Sequence, residues 1–346
     1  MSQNELNPLY QDLITYYRNH IDFIDDIYYV IISSYTLLTW RIEHVQELPY
    51  LAFIGVSGSG KTRAQECMSS ICYNSINAAS ITRAAIYRLL DQGPVTLFCD
   101  EFETQLRSNP ELLQILNSGY RRGMNVIINV PDSVSGWTPE QFNVFGPKVV
   151  SSIVLPNGPF ANRCIVIPMV RNTNNINYRI DNEVADLLKN QLSTYRVNNQ
   201  ENILDTWGLM EESGISHRRL MELYNVILSL TPEEYKGQII EYIKHEQKQI
   251  NRSDESLLYS TIFNAVDQAL KESTNNRVLI RNVVEKLRSD PTWSDDLPSH
   301  RQVGEWMSSM GYIDSFRVPD GIGRIINLRI HDSNRRRYQR DDLADV

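Results

Sequence analysis

The run Gly55-Val-Ser-Gly-Ser-Gly-Lys61-Thr62 constrains the fold of this chain more than any other feature. It matches the pattern G-x-x-x-x-G-K-[ST], follows the apolar stretch Tyr50–Ile54, and leads into a helical pattern over residues 61–72. Strand, glycine-rich turn and helix in that order form the context in which such a loop holds phosphates. The glycines let the backbone turn back on itself, so that successive N–H groups and a helix N-terminus point to one place. Gly55, Ser57, Gly58, Ser59 and Gly60 are therefore expected to cradle the phosphates of ATP. Lys61 is expected to reach the β- and γ-phosphates, and the Thr62 hydroxyl to ligate Mg²⁺. The competing explanation is a Gly-Ser turn that caps a helix and binds nothing; the flanking strand and helix favour the phosphate loop.

A second apolar run, residues 95–99, ends in Asp100-Glu101. A buried strand that delivers an acidic pair to its end suits a site where Asp100 holds Mg²⁺ through water and Glu101 polarises the attacking water. The pair points to hydrolysis, because a nucleotide switch needs only the metal-binding Asp. Glu103, two residues further into the loop, is the weaker alternative for the base.

Helical patterns cover residues 6–19 and 22–47. From residue 49 to 170 apolar strands (50–54, 95–99, 126–130, 148–154 and 164–169) alternate with helices, with turn-rich segments at 131–139 and 156–159, which predicts a mostly parallel sheet in three layers. The polar, Asn-rich stretch 171–178 reads as a linker, and helices follow at 181–196, 217–230 and 232–248. Past a second boundary at 251–253 come helices at 254–272, 278–289 and 299–310, then two short strands around a turn at 319–323. Three helices and a hairpin suggest a winged helix whose recognition helix is 299–310. The expected organisation is thus an N-terminal helical segment (1–48), an ATPase core (49–170), a helical lid (171–250), a winged-helix domain (251–335) and a flexible tail (336–346).

The formal charge of −8 excludes a protein that coats nucleic acid by bulk charge, though not a local basic site. Four cysteines, Cys67, Cys72, Cys99 and Cys164, make neither a disulfide framework nor a zinc pair, which predicts a reducing, cytoplasmic setting. None of the six histidines forms an HxH or HxxxH pair, so Mg²⁺ is the expected metal. The start MSQNELNPLY lacks a signal peptide's regions, and the apolar run Ile27–Trp40 is shorter than the roughly 20 residues of a bilayer span. It reads as a buried helix of a soluble protein with no membrane partner.

In order along the chain, GVSGSGKT, LFCDE (97–101), ILNSGYRRG (115–123), FGPKVV (145–150) and NRCIVIPM (162–169) resemble an AAA+-type helicase family of viruses, plasmids and other mobile elements, related in plan to minichromosome-maintenance and superfamily III helicases. The resemblance covers about residues 30–230. It implies an α/β P-loop NTPase of AAA+-like, three-layer architecture that assembles as a homo-oligomer, a hexameric ring, on single-stranded or forked DNA; for a virus the setting would be the host cytoplasm. It further implies that Arg163 reaches into a neighbouring subunit's site, where a guanidinium supplied in trans makes hydrolysis depend on assembly. Arg219 falls where such ATPases carry a sensor arginine on the lid, with Arg218 an equal rival. A sensor residue is expected at the end of the 148–154 strand; Ser151 and Ser152 are available where related helicases often have Asn.

Two features suit nucleic-acid contact. Tyr120, Arg121 and Arg122 pair an aromatic ring with two guanidinium groups, which fits stacking and phosphate contact on a single strand, or else contact between subunits. Residues 277–340 carry a charge of +4 while residues 1–48 carry −5. Arg301, Arg317 and Arg324 are placed around the recognition helix and wing, although winged helices also serve protein contacts. The functions these readings support are a ring-forming DNA helicase or translocase for replication of a virus or mobile element, an initiator or loader that assembles on DNA without unwinding it, and a defence or signalling ATPase with a protein partner.

Overall fold

The computed structural model describes residues 3–132, 136–156, 158–171, 176, 179–251, 254–288, 298–319 and 321–338. Met1–Lys244 and His245–Val346 form two compact units.

In the first unit the elements run α1 (Gln3–His20), α2 (Ile27–Trp40), β1 (Tyr50–Ile54), α3 (Lys61–Ser69), β2 (Ser75–Ala78), α4 (Arg83–Asp91), β3 (Thr96–Cys99), α5 (Phe102–Ser108), α6 (Leu112–Ser118), β4 (Val126–Asp132), β5 (Gly136–Phe142), β6 (Lys148–Ser152), β7 (Cys164–Pro168), α7 (Asn182–Asn198), α8 (Trp207–Glu212), α9 (Arg218–Leu230) and the part up to Lys244 of α10 (Glu233–Asn251). Five strands make a parallel sheet in the order β2-β3-β6-β1-β7. Tyr50 through Phe53 of β1 are all buried, as a strand with neighbours on both edges and cover on both faces must be.

Every residue of α2 is buried, so a helix apolar all round serves as an internal element. Several of its polar side chains find partners: the Tyr35 hydroxyl donates to the Lys148 carbonyl at 3.1 Å and the Trp40 indole to the Ile71 carbonyl at 2.9 Å. The two N-terminal helices thereby share one hydrophobic core with the sheet and with α7, α9 and α10. All four cysteines are buried and free; burial pushes the thiols of Cys67, Cys72 and Cys99 up to about 12, so they pack as small apolar side chains.

The structure departs from the sequence reading at several elements. Residues 126–130, expected in the main sheet, instead pair antiparallel with β5 in a separate two-stranded ribbon, Val126↔Phe142 through Asp132↔Gly136. Pro131, Gly136 and Pro139 make the second half look like turn, but an isolated ribbon offers outer edges where proline costs no ladder bond. The short strand β2 was not anticipated, because it is an edge strand without a strong apolar run. Helices α5, α6 and α8 were missed for their brevity, and the single helix expected over 22–47 is α2 followed by a turn of 3₁₀ helix, Ile42–His44. Among the described residues no helix is long and apolar enough to cross a membrane.

The second unit contains α11 (Asp254–Lys271), β8 (Arg277–Leu279), α12 (Ile280–Leu287), α13 (His300–Ser309), β9 (Ser315–Val318), β10 (Gly321–Ile325) and α14 (Leu328–Tyr338). Its antiparallel sheet has the order β8-β10-β9, and its separate core includes Phe263, Val283, Val303 and Met307. Helix α13 starts with a capping box in which Ser299 and Gln302 satisfy each other's backbone N–H. Gly323 is required on β10, since a Cβ there would sit 2.4 Å from the Phe316 ring. Strand β8 and helix α14 were not foreseen. Residues 336–338 of the expected tail complete α14, and 339–346 lie outside the described residues, as do 172–175 and 177–178 of the expected linker and 252–253 of the second boundary.

Candidate functional site

The phosphate-loop sequence joins the carboxyl end of β1 to the N-terminus of α3, as its pattern predicts. Two glycines are sterically necessary. A Cβ at Gly55 would lie 2.1 Å from the Met169 carbonyl oxygen, and Gly60 has φ +88°, which side chains other than glycine's rarely tolerate. The turn at Gly60 aims the first N–H groups of α3 into a cavity of about 500 Å³ lined by residues 57–63, Asp100, Glu101, Glu103, Thr104 and Ile153. Lys61 folds over the loop, its ammonium donating to the Gly55 and Val56 carbonyls at 2.6 and 3.0 Å.

Strand β3 brings Asp100 to the same place. The Thr62 hydroxyl donates to Asp100 Oδ2 at 2.8 Å, and Asp100 Oδ1 accepts from Ser151 Oγ and, at 2.9 Å, from the Glu101 N–H. A hydroxyl and a carboxylate in contact are hard oxygen donors, the set Mg²⁺ takes alongside water and phosphate, so the residues present fit that ion. Among the described residues no three His, Cys, Asp or Glu side chains converge on a point. Both candidate sensor serines sit at carboxylates: Ser151 on Asp100, and Ser152 on Glu103 at 2.6 Å.

Two glutamines that the sequence reading passed over hold this end of the sheet. Gln65 of α3 donates to the Cys99 carbonyl at 3.0 Å and the Val149 carbonyl at 3.4 Å, bridging β3 and β6. Gln105 of α5 donates to the Asp100 carbonyl at 2.7 Å. The available signal was a polar residue on the apolar face of a short helix, as with Gln65 among Ala64, Cys67 and Met68.

Arg163 and Arg219 lie elsewhere. Parallel pairing sets Cys164 beside Tyr50, so Arg163 stands at the amino end of the sheet, roughly 13 Å of strand away from the loop at the other end of β1. There Arg163 packs over the Tyr120 ring at 4.3 Å and donates to Asn117 Oδ1 at 3.3 Å. Arg219 lies over the same ring at 5.8 Å, donates to the Asn162 carbonyl and pairs with Glu222 at 2.7 Å. The structure thus groups Arg163, Arg219 and Tyr120 and keeps Arg219 away from the phosphate loop of its own chain. Arg218 is exposed, 3.6 Å from Glu222.

Other basic residues are engaged within the chain. Arg122 donates to the carbonyls of Val45 and Ile42 at 2.9 and 2.7 Å and stacks on Phe145, so it closes the turn after α2. Arg121 pairs with Glu47 at 2.8 Å. Arg324 donates to the Ile313 and Gly304 carbonyls and the Ser308 hydroxyl, fastening β10 to α13. Arg301 is exposed on α13 with Glu305 at 2.9 Å, and Arg317 is exposed on β9. By contrast the β4–β5 ribbon exposes Ile127 and Trp137, at 72% and 65%.

No family profile and no curated protein matches the sequence. Among solved structures the chain is similar to an active helicase, SCCmec type IV Cch, at 13% identity, covering 96% of this chain and 71% of that one with a TM-score of 0.43. It is also similar to the C-terminal region of NrS-1 at 13% identity, covering 93% and 74% with a TM-score of 0.39. A third is the Aeropyrum pernix ORC1 protein in complex with DNA, at 11% identity, 88% and 90% coverage and a TM-score of 0.27.

Proposed function

We propose that this chain is a P-loop ATPase of the AAA+ class, and within that class a motor that assembles as a ring, hexameric by expectation, and moves or unwinds DNA during replication of a virus or mobile element. The observation that carries the first step is the convergence of Lys61, Thr62 and Asp100 on one cavity at the carboxyl end of a parallel sheet. Lys61 and the α3 N-terminus bind the β- and γ-phosphates of ATP, and Thr62 with Asp100 hold Mg²⁺. The bound metal supplies charge neutralisation at the phosphates. A carboxylate at the end of β3 orients water for hydrolysis.

Arg163 and Arg219 stand at the opposite end of the sheet, which supports a role for both at a neighbouring copy's nucleotide rather than their own. Tyr120 between them holds the pair in place. On this reading hydrolysis depends on assembly. Residues 171–250 serve as the lid and 251–335 as a winged helix whose DNA contacts come from Arg301 and Arg317, while Arg324 has a structural task. For a strand inside a ring, the exposed Trp137 and Ile127 of the β4–β5 ribbon are better placed than Arg122, because an exposed aromatic ring stacks on bases without regard to sequence.

Unwinding of a forked duplex by the purified protein, lost in Lys61→Ala, tests the motor reading. DNA-stimulated hydrolysis without unwinding would instead favour an initiator or loader. Hydrolysis indifferent to DNA, with no ring seen by electron microscopy in the presence of a non-hydrolysable ATP analogue and single-stranded DNA, would favour a protein partner.

A further inference from the structure

A second cavity, of about 710 Å³, opens in the second unit between the starts of α12 and α13 and the strand β10. Its floor is apolar. Ile280 is buried at the head of α12, Gly304 lets α13 come so close that a Cβ there would lie 3.1 Å from Ile280 Cδ1, and Ile322 of β10 is 48% exposed. Around that floor the lining is basic: Arg281 and Arg301 are exposed at the rim and Arg324 forms part of the wall. Arg324 is held by the Ile313 and Gly304 carbonyls and the Ser308 hydroxyl, neutral groups that leave its charge uncancelled. Glu305 is the single acid among the described lining residues. Its pair with Arg301 is exposed at both ends, so it holds weakly and opens readily.

An apolar floor beneath such cations is a poor match for a nucleic-acid backbone, whose phosphates gain nothing from isoleucine. It suits a chain segment in which acids are interleaved with aliphatic side chains, so that methyl groups leave water while carboxylates meet guanidinium groups. This protein carries such a segment. Residues 339–346, outside the described ones, read Gln-Arg-Asp-Asp-Leu-Ala-Asp-Val. They continue from Tyr338, the last residue of α14, whose ring stacks on Tyr259 at 5.9 Å and whose carbonyl accepts from the Ser260 hydroxyl at 2.9 Å. The Tyr259 hydroxyl lies 3.1 Å from Ser309 Oγ, so the segment starts beside the C-terminal end of α13. From Ser309 back to Arg301 is about 12 Å of helix, whereas eight residues of extended chain reach about 26 Å. Arg301, Glu305 and Ser309, spaced four apart, form one exposed face along that path.

We propose that residues 339–346 turn back along α13 and dock in this cavity of their own chain, with Leu343 on the floor of Ile280 and Ile322 and the aspartates at Arg301 and Arg281. The docked segment covers Arg301 and acts as an internal competitor for the basic face of the second unit. Exposed ion pairs at the rim are screened by salt, so rising ionic strength or a stronger anion releases the segment. The docking stands apart from the function proposed above, while its consequence for DNA rests on that reading of Arg301.

The test uses fluorescence anisotropy of a fluorescein-labelled peptide of residues 339–346 with two forms of the full chain. One is wild type; the other, tail-disabled, carries Asp341→Asn, Asp342→Asn, Leu343→Ser and Asp345→Asn. The peptide is expected to bind the tail-disabled chain, and to bind wild type about fivefold more weakly, at low and high protein concentration alike, because the chain's own segment competes. Adding Arg301→Glu or Ile322→Ser to the tail-disabled chain is expected to weaken the peptide about tenfold, with circular dichroism confirming the fold. Absence of binding, equal binding of a peptide with the same residues in scrambled order, or indifference to both substitutions would overturn the docking. Competition that grows with protein concentration would place the segment on a second copy and overturn docking within one chain. On duplex DNA at low salt the tail-disabled chain is expected to gain about threefold in affinity over wild type. Peptide binding without that gain would leave the docking standing and overturn its consequence for DNA.

Discussion

Lys148 Nζ donates to the Val144 carbonyl at 2.9 Å, deep in the first unit. It also donates to the Gly146 carbonyl at 2.9 Å and the Gly119 carbonyl at 3.4 Å, and faces the Tyr50 ring at 5.0 Å. Gly119 precedes the β4–β5 ribbon and residues 144–146 follow it, so one ammonium ties both roots of the ribbon to β6. Lys148→Met takes this donor from the Val144 and Gly146 carbonyls, while the Gly119 carbonyl keeps the Gly146 N–H at 3.4 Å, at about 1–3 kcal/mol for each buried group left unpaired. We expect a lower urea midpoint and faster amide exchange between residues 119 and 146. Burial pushes this amine down to about 7 from 10.5. Between those values the native state binds fewer protons than the unfolded chain, so this group's penalty is full below pH 7 and relieved as pH rises towards 10. Urea midpoints at pH 6.5 and pH 9 are expected to show wild type gaining on Lys148→Met at the higher pH.

Mg²⁺ and ATP together are expected to raise the melting temperature of the wild-type protein. A ligand at 100 times its Kd stabilises by about 2.7 kcal/mol. Lys61→Ala, which removes the cation at the loop, is expected to abolish the shift, while Thr62→Ala is expected to retain a smaller shift that no longer depends on Mg²⁺. Differential scanning fluorimetry with and without EDTA separates the two.

Arg163→Ala subunits are expected to bind ATP and hydrolyse it poorly. Mixing them with subunits disabled at their own phosphate loop by Lys61→Ala should restore part of the activity, because a mixed interface pairs an intact loop with an intact arginine. Arg219→Ala is expected to behave in the same way, since both arginines flank Tyr120. If mixing restores nothing, a role in trans is wrong.

In the second unit Arg324 and Arg317 are expected to separate. Arg324→Met breaks two bonds from β10 to α13 and one to the Ile313 carbonyl beyond it, and is expected to cost about 1–3 kcal/mol, read as a lower denaturation midpoint of that unit. Arg317→Ala, on an exposed strand face, is expected to leave stability within about 0.5 kcal/mol. Weaker DNA binding in Arg317→Ala, with a shallower salt dependence, would mark a phosphate contact.

Asp267 anchors α14 to α11, accepting from His331 at 2.9 Å and pairing with Lys271 at 2.7 Å and Arg335 at 2.8 Å. Burial alone would raise its carboxyl, but the hydrogen bonds from Lys271, His331 and Arg335 outweigh it and hold the group well below the ordinary 3.8. The stability it contributes is present above about pH 4 and lost as pH falls below that, because the unfolded chain then binds the proton first. Asp267→Asn is expected to destabilise the second unit at pH 7 by about 3 kcal/mol and to flatten its loss of stability in acid.

What the sequence determines by itself here is mostly local. Gly55 to Thr62 announce a tight turn between strand and helix because glycine content and Lys-Thr spacing act within eight residues, and the strands β1, β3 and β6 show as apolar runs because burial on both faces demands it. Ser299 and Gln302 mark the start of α13 for the same reason, a cap being made between near neighbours in the chain. The pairing of strands is not local, and so only the tertiary structure decided that residues 126–132 and 136–142 leave the sheet as a ribbon and that Arg163 and Arg219 meet at Tyr120, far from their own phosphate loop. The same holds for the three basic side chains that the sequence offers to DNA but the fold engages, Arg121, Arg122 and Arg324. A guanidinium looks alike in sequence whether it meets solvent, a phosphate or a backbone carbonyl, and what distinguishes these fates is which distant segment the fold lays beside it.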